Sequence, residues 1–401
     1  MNNYKVKNLI LLTSFFLIGS QVIISQAKTV NLPIIDFSKQ YPKKEIILQD
    51  IADLEYVPLE TTDDVLLSDK DVFACISDKY ILVYSPQRGD IFVFDRAGKI
   101  YAHFNHKGQS GREYIVITGV ILDEINEEIF VCSQNIQIYS LRGEYKRTLN
   151  INTVLNEKKV YDFDDNTLLV YDDILVDQPE RLRAMGYKYN VNPYSLISKK
   201  DGSLISILEI NLPQRYSNRS YVPLENNMYT INILYYNYSI NYGRDFVIAD
   251  KSSDTLYLLS HDRELSPLLI RRPSVHTSEP RRIWYTVLTT HKFMLISNLT
   301  LTNNSGSKVG RTPSYLYEFE TGGINDVSIL DAEICNDFNI TRNWSPFNSP
   351  ATFTKNMTAE LIQAPTLINS LKKKRLKGNV EKLAMALDKE DNPVVRIIKF
   401  K

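Results

Sequence analysis

Short runs of alternating hydrophobic and polar residues follow one another along most of the chain, with turn residues between them. The runs Ile91–Phe94 and Ile100–Phe104 lie on either side of the sequence DRAGK. The runs Asn135–Tyr139 and Tyr145–Leu149 lie on either side of SLRGE. Alternation on both sides of a glycine-containing turn is typical of a β-hairpin. Both segments are therefore predicted to be hairpins.

This hairpin pattern recurs in residues 193–210, in residues 254–270 and from Tyr315 onward. The five turn positions are spaced by 45, 59, 61 and 59 residues, and they are Gly98, Gly143, Gly202, Arg263 and Gly322. A repeat at this period indicates a β-propeller, whose four-stranded blades take about 40–50 residues plus loops. Six blades over residues 28–401 give about 62 residues per blade, close to the observed spacing. We predict an all-β fold, a six-bladed β-propeller of four-stranded antiparallel blades.

The two ends of the chain supply the sixth blade in this interpretation. Strand-like runs occur in Ile46–Glu60, and Val394–Phe400 reads as a final strand. Pairing of N- and C-terminal strands closes the ring without leaving an exposed sheet edge. Residues 28–401 are therefore predicted to form a single propeller domain.

One segment near the C-terminus departs from the β pattern. Val380, Leu383, Ala384 and Leu387 recur at the spacing of one helix face, with charged residues between them. Pro393 then directs the chain out of a helix. A short helical insertion is predicted here, before the last strand.

The N-terminus has the pattern of a secretory signal peptide. Lys5 and Lys7 precede the apolar run Leu9–Ile18, and the small residues Ser25 and Ala27 follow. The apolar run is shorter than the ~20 residues that a membrane-spanning helix needs, which disfavours an anchor.

Residues 1–27 are accordingly predicted to be removed, leaving no transmembrane segment. Export to the periplasm or the cell surface is expected. The three cysteines, Cys75, Cys132 and Cys335, lie far from the cleavage site and from one another. This disfavours a lipid anchor, a disulfide framework and a Cys-x-x-Cys metal site.

Four motifs resemble a known family. They are DIADLEYVPLETTDD at 50–64, VFDRAGK at 93–99, KGQSGREY at 107–114 and DNPVVRIIKFK at 391–401. In this order they resemble secreted six-bladed β-propeller proteins of gram-negative gut bacteria. In that family the third motif is closer to G-x-G-P-G-E-Y, whereas Ser110 and Arg112 stand here. The resemblance implies a propeller related to the NHL class and implies no activity for named residues.

The balance of charges along the chain disfavours nucleic acid as a partner. Forty-seven basic residues balance forty-seven acidic ones, so a nucleic-acid partner is not expected.

His103 and His106 form H-x-x-H without a third ligand nearby, and no metal or other cofactor is predicted. Four residues fall at positions 1, 3, 5 and 12 of a calcium-loop register: Asp162, Asp164, Asn166 and Asp173. Position 6 is Thr167, where a calcium loop requires glycine, so an acidic turn before a strand is favoured. Calcium binding in the central channel is kept as an alternative.

Aromatic and cationic residues are concentrated between residues 229 and 284. Aromatic faces and guanidinium groups suit stacking on sugars and binding of carboxylates, although strand packing is the common alternative for tyrosine. The predicted ligand-binding residues are Arg112, Tyr236, Tyr242, Arg281 and Trp284. No nucleophile motif, phosphate loop or dinucleotide motif is present, so no catalytic residue is assigned.

Three functions follow from these patterns. The favoured one is a non-enzymatic binding module for a glycan, a peptide or an envelope protein, with aromatic and arginine side chains at the mouth of the central channel. The first alternative is a hydrolase or lyase acting on a carbohydrate or lactone, with converging carboxylates or histidines of shifted pKa. The second alternative is a structural component of an envelope assembly, with an apolar patch on the outside.

Overall fold

The computed structural model of the chain describes residues 32–401 apart from 152–157, 173–191, 211, 213, 217–218, 224–228, 234–238, 243, 280, 302–312 and 335–355. The described strands are β1 (Ile34–Asp36), β2 (Lys43–Ile47), β3 (Ala52–Pro58), β4 (Val72–Ile76), β5 (Tyr80–Tyr84), β6 (Asp90–Asp95), β7 (Ile100–Asn105), β8 (Gly119–Asp123), β9 (Glu128–Cys132), β10 (Ile136–Ser140), β11 (Tyr145–Leu149), β12 (Lys158–Asp164), β13 (Thr167–Asp172), β14 (Tyr194–Ser198), β15 (Leu204–Ile207), β16 (Arg219–Pro223), β17 (Tyr229–Ile233), β18 (Ser239–Tyr242), β19 (Asp245–Ile248), β20 (Thr255–Leu259), β21 (Leu265–Arg272), β22 (Arg281–Thr289), β23 (Phe293–Leu301), β24 (Ser314–Glu318), β25 (Ile324–Leu330), β26 (Met357–Ile362) and β27 (Val394–Phe400). The described helices are α1 (Leu48–Ile51), α2 (Ala364–Lys372) and α3 (Gly378–Met385).

The strands form the blades of a six-bladed β-propeller. Blade 1 contains β4–β7, blade 2 contains β8–β11 and blade 3 contains β12–β15, each as an antiparallel sheet in chain order. Blade 4 contains β18–β21 and blade 5 contains β22–β25, while β26, β27 and β3 form blade 6. A separate hairpin, β16–β17, precedes blade 4. The predicted six-bladed antiparallel propeller is confirmed.

Middle strands are hydrophobic on both faces because each blade is covered by its two neighbours. In β5, Ile81 and Val83 belong to a buried cluster shared with blade 6. Leu82 and Tyr84, which alternate with them, belong to a cluster shared with blade 2. Successive side chains of a strand point to opposite faces. The core therefore consists of layers between blades, and each layer depends on both of its blades.

The five predicted hairpin turns each join the third and fourth strands of a blade. Their turn residues adopt the left-handed conformation, with φ of 81° at Gly98 and 86° at Gly143. A Cβ at Gly143 would lie 2.6 Å from the Phe104 side chain, so glycine is required there for both conformation and space. Arg263 has φ 67° and donates from Nη2 to Thr167 Oγ1 at 3.0 Å, which links blade 4 to blade 3.

Two strands that the pattern did not predict extend blades 4 and 5. β1 pairs in parallel with β21, and β2 pairs in parallel with β25. These pairings add a fifth strand to each sheet on its outer edge. The N-terminal segment thus runs along the outside of the propeller, from blade 4 to blade 5, before it enters blade 6.

Blade 6 joins the two ends of the described chain. β3 pairs antiparallel with β27, from Ala52 opposite Phe400 to Pro58 opposite Val394. The predicted helix is present as α3, preceded by the unpredicted α2, and its Val380 and Ala384 are buried. The longest described helix has nine residues, so within the described ranges no helix has the length and apolarity of a membrane span. Residues 1–27, predicted to be the signal peptide, lie outside the described residues.

Candidate functional site

The first strands of blades 1 to 3 line a cavity of about 630 Å³, which we call the channel cavity. These strands, β4, β8 and β12, lie next to one another around the propeller axis. The start of β26 and the end of β27 complete the lining. Five carboxylates and three ammonium groups belong to it: Asp78, Asp123, Glu124, Asp162, Asp165, Lys159, Lys199 and Lys399. The cavity is therefore charged, with a small excess of negative groups.

Three of these residues form the channel cluster, which consists of Lys199, Asp123 and Asp162. Lys199 Nζ donates to Asp123 Oδ2 at 2.8 Å and to Asp162 Oδ1 at 2.7 Å. Lys199 follows β14, Asp123 ends β8 and Asp162 lies in β12, so the cluster joins blades 2 and 3. Lys199 and Asp123 are buried, whereas 44% of the Asp162 side chain is exposed.

The pKa values of the two carboxylates in the channel cluster are shifted in opposite directions. Desolvation by the walls of the channel cavity raises the pKa of Asp162 and outweighs the attraction of the Lys199 ammonium, although part of the side chain is exposed to the cavity. Burial also acts on Asp123, but hydrogen bonds from Lys199 and Asn126 outweigh it and lower the pKa of Asp123. Burial opposes the charge of Lys199, yet the carboxylates of Asp162 and Asp123 prevail and raise its pKa. Asp162 is thus the cluster member that binds a proton more readily than an ordinary aspartate.

Contacts around Lys199 hold the ammonium in place. The backbone N–H of Lys199 donates to Asn166 O at 2.8 Å, across the turn between β12 and β13. Arg147 forms two bonds of 2.7 Å to the carboxylate of Glu128 and donates to Lys199 O at 3.0 Å. A paired guanidinium of this kind has fixed geometry. The cluster therefore sits on a rigid junction between two blades.

Two cysteines also line the channel cavity. Both Cys75 and Cys132 are buried. Burial raises the pKa of each thiol to about 12. Because the thiolate is the reactive form, neither residue suits a nucleophilic role near neutral pH. Cys335 lies outside the described residues.

Trp284, which is predicted from the sequence to stack on a ligand, lies in the interior of the propeller. Trp284 is fully buried, and its Nε1 donates to Ser253 O at 3.0 Å. Aromatic composition does not reveal which face of a strand is covered, and here both faces are. The Arg281 guanidinium carbon lies 3.8 Å from the centroid of the Tyr216 ring, outside the channel cavity.

Of the remaining predicted site residues, Arg112 and Tyr242 lie within the described ranges. Arg112 lies in the loop before β8, with its guanidinium carbon 5.4 Å from the centroid of the Tyr145 ring. Tyr242 is the last residue of β18, and Tyr236 lies outside the described residues. Arg112, Arg281 and Trp284 are not among the described residues that line the channel cavity.

The histidine pair contacts protein groups. His103 Nε2 lies 3.2 Å from Asp90 Oδ1, and the ring stacks on Phe92 with centroids 4.5 Å apart. His106 Nε2 lies 2.7 Å from Gly143 O. In the described ranges, no group of three or more His, Cys, Asp or Glu residues is arranged to hold a metal ion.

The calcium register falls on a β-hairpin. Asp162 and Asp164 lie in β12, and Asn166 lies in the turn before β13. The fourth register position, Asp173, lies outside the described residues. The strand that follows the acidic turn is β13, which includes Leu168–Tyr171.

Six blades around a charged cavity define the class: a β-propeller with a candidate binding site along its inner strands. The sequence model of the family described as Domain of unknown function (DUF4934) matches residues 32–399. The chain therefore belongs to this family. No curated protein matches it in sequence.

Solved structures share the propeller fold at low sequence identity. A Bacteroides fragilis protein, described as a candidate exported protein, is 12% identical with a TM-score of 0.58, over 92% of this chain and 99% of that one. A Bacteroides vulgatus member of the DUF4221 family is 10% identical with a TM-score of 0.44, over 88% and 97%. A streptogramin B lyase is 10% identical with a TM-score of 0.37, over 88% and 99%. At this level of identity, the likeness to the Bacteroides fragilis protein shows the fold alone.

Proposed function

We propose that this chain is an exported propeller that binds a glycan fragment in the channel cavity. The observation that carries the proposal is the charged lining of a cavity of about 630 Å³ along the inner strands. Small-molecule sites usually have volumes of about 300–1,000 Å³ and a few well-placed polar groups. This proposed site differs from the aromatic and arginine-lined mouth that the sequence predicts.

The chemistry of the lining favours neutral hydroxyl-rich ligands. Carboxylates accept hydrogen bonds from sugar hydroxyls, and ammonium groups donate to sugar oxygens. Tyr161, which is only partly buried, lines the same cavity and offers ring surface for a sugar face. The excess of carboxylates disfavours a polyanionic ligand. Asp162 is the natural contact, because its side chain is half-exposed while Lys199 fixes one of its oxygens.

Export is the second part of the proposal. It is supported by the signal-peptide pattern of residues 1–27 and by the description of the Bacteroides fragilis protein as a candidate exported protein. Either location, the periplasm or the cell surface, is consistent with export.

Ligand titration tests the binding function directly. Neutral oligosaccharides and short peptides are titrated by calorimetry into residues 28–401 and into Asp162→Asn. Asp69→Asn is the matched control, since Asp69 is exposed and lies outside the cavity. We expect a neutral oligosaccharide to bind the protein and Asp69→Asn equally, and Asp162→Asn about tenfold more weakly, as loss of a hydrogen bond to a charged group predicts. Binding of peptides alone, or equal affinity in both variants, contradicts the glycan proposal.

A hydrolase or lyase is the second candidate, and one observation favours it. The pKa of Asp162 is raised and that of Asp123 is lowered around a shared ammonium. A pair of carboxylates whose pKa values are pushed apart is suited to acid and base roles. Turnover of aryl glycosides, uronate polysaccharides and lactones, lost in Asp162→Asn and kept in Asp69→Asn, would establish this activity. Sugar binding without turnover leaves the binding function in place.

A further inference from the structure

The outer edge of blade 3 is an uncharged strand with exposed aliphatic side chains. Leu204 is 60% exposed, Ile205 41% and Ile207 49%. β15 pairs with β14 on one side, and no described strand pairs with its other side. We call this strand the β15 edge. Unpaired backbone groups beside aliphatic side chains form a template for a further strand.

The other blades treat their outer edges differently. Blades 4 and 5 cover theirs with β1 and β2. In blade 2 the edge strand β11 contains Lys146 and Arg147, and in blade 1 the edge strand β7 contains His103 and Asn105. Charged and polar side chains on an edge discourage pairing with another chain. Among the described residues, no strand covers the β15 edge, and β15 itself contains no charged residue.

The two covering strands show which chemistry suits such an edge. β1 and β2 are short extended segments that each contain two consecutive isoleucines. Both run parallel to the edge strand they cover. The carbonyl of Pro33 accepts a hydrogen bond of 2.9 Å from Ile270 N, and that of Pro42 accepts one of 2.9 Å from Asp326 N. The segments that pair with the outer edges of blades 4 and 5 thus each consist of a proline followed by an extended strand that contains two isoleucines.

We propose that the β15 edge is a docking site for an isoleucine-rich extended segment of a partner polypeptide, which adds to blade 3 as a parallel fifth strand. Blade 3 would then match blades 4 and 5, which follow it around the ring. Addition of a strand to an exposed edge derives affinity from backbone hydrogen bonds and specificity from alternate side chains. This surface is separate from the channel cavity, so the proposal stands independently of the glycan function.

A second copy of this chain is a poorer occupant. Four residues of strand span about 13 Å. Two such edges paired with each other bury far less than the ~1,000 Å² typical of a stable interface. An extended segment pairs along the whole edge and continues over neighbouring surface.

Hydrogen exchange with a defined peptide tests the proposal. The probe is a synthetic peptide of residues 32–38, Leu-Pro-Ile-Ile-Asp-Phe-Ser, added to the folded protein at up to about 1 mM. We expect slower exchange of the Leu204–Ile207 amides. We expect the combined Ile205→Lys and Ile207→Lys variant to bind the peptide at least about tenfold more weakly, because it places charge where apolar surface is buried. Ile115→Lys is the matched control, since Ile115 is 44% exposed on a loop outside the edge.

Three results would overturn the proposal. The first is unchanged exchange at the β15 edge with the peptide present. The second is equal peptide affinity in the edge variant and Ile115→Lys. The third is a dimer in light scattering that the edge variant converts to a monomer, which assigns the edge to a second copy. If the double variant does not fold, Leu204→Lys replaces it, because Leu204 is the most exposed residue of the edge.

Discussion

Two regions of the propeller place one cation between two carboxylates, in very different surroundings. The first is the channel cluster. The second, the seam cluster, consists of Arg396 in β27, Asp331 after β25 and Glu360 in β26. Arg396 contacts both carboxylates, and its side chain and that of Asp331 are 0% exposed. The channel cluster instead keeps one carboxylate half-exposed to a cavity.

The difference indicates what each cluster does. The seam cluster joins blades 5 and 6, where both ends of the described chain meet. Gln49 Nε2 also donates to Asp331 Oδ1 at 2.8 Å, which adds the N-terminal segment. Burial opposes the charge of Arg396, but Glu360 and Asp331 outweigh it and raise the pKa of the guanidinium. In the seam cluster, the side chains of Arg396 and Asp331 are therefore inaccessible to a ligand. In the channel cluster, the side chain of Asp162 is accessible from the cavity.

The largest effect is expected from Arg396→Met. It leaves the buried Asp331 carboxylate without its cation, and breaking a buried ion pair costs about 3–5 kcal/mol. Urea unfolding should show this loss in the free energy of unfolding. Adding Asp331→Asn to the same chain should recover part of it, because the stranded charge is then removed. A loss below about 1 kcal/mol, typical of a surface pair, would contradict a structural role for the seam cluster.

A smaller loss is expected from Lys199→Met. Asp123 keeps its bonds from Asn126, and water in the cavity can hydrate Asp162. The free energy of unfolding should therefore fall by about 1–3 kcal/mol, as for a buried polar group that loses one partner. The measurement is the same urea titration, run beside Arg396→Met. A loss equal to that of Arg396→Met would show that the channel cluster is as much a structural element as the seam.

The smallest and most specific effect concerns pH. The pKa of Asp162 is raised on folding, so its contribution to stability is present below the unfolded pKa and is lost as pH rises through the folded pKa. The pKa of Asp123 is lowered, so its contribution is present above the unfolded pKa and is lost as pH falls through the folded pKa. Relative to the unmodified chain, Asp162→Asn should gain stability as pH rises, and Asp123→Asn should lose it. Thermal unfolding between about pH 3 and pH 7 measures both slopes. If the stability difference from the unmodified chain changes with pH in the same direction for both variants, the pKa values of these two carboxylates are not shifted in opposite directions.

Local patterns predicted the repeating units well. The turns at Gly98 and Gly143 and the helix through Val380 were recognised because alternation, left-handed turn residues and helical spacing involve residues close in sequence. β1 escaped prediction because a run of three residues, Ile34–Asp36, has too little pattern to identify a strand. Its pairing partner, β21, is more than two hundred residues away.

The candidate site was not predicted, and its residues explain why. Lys199 and Asp123 are 76 residues apart and belong to different blades. The sequence pattern places Asp162 only in a calcium register, because its ammonium partner, Lys199, follows a different strand of the blade. Trp284 was chosen for its chemistry, but its burial depends on how blades 4 and 5 pack.

By itself, the sequence determined the hairpin units, their recurrence, the blade number and the C-terminal helix, because each of these rests on short-range turn chemistry and periodicity. Only the tertiary structure decided which charges share a partner, which aromatic residues are buried and which blade edges are covered by a further described strand. These properties arise where blades meet or fail to meet a further strand. Such contacts join residues far apart in the chain, whose local sequences carry no record of one another.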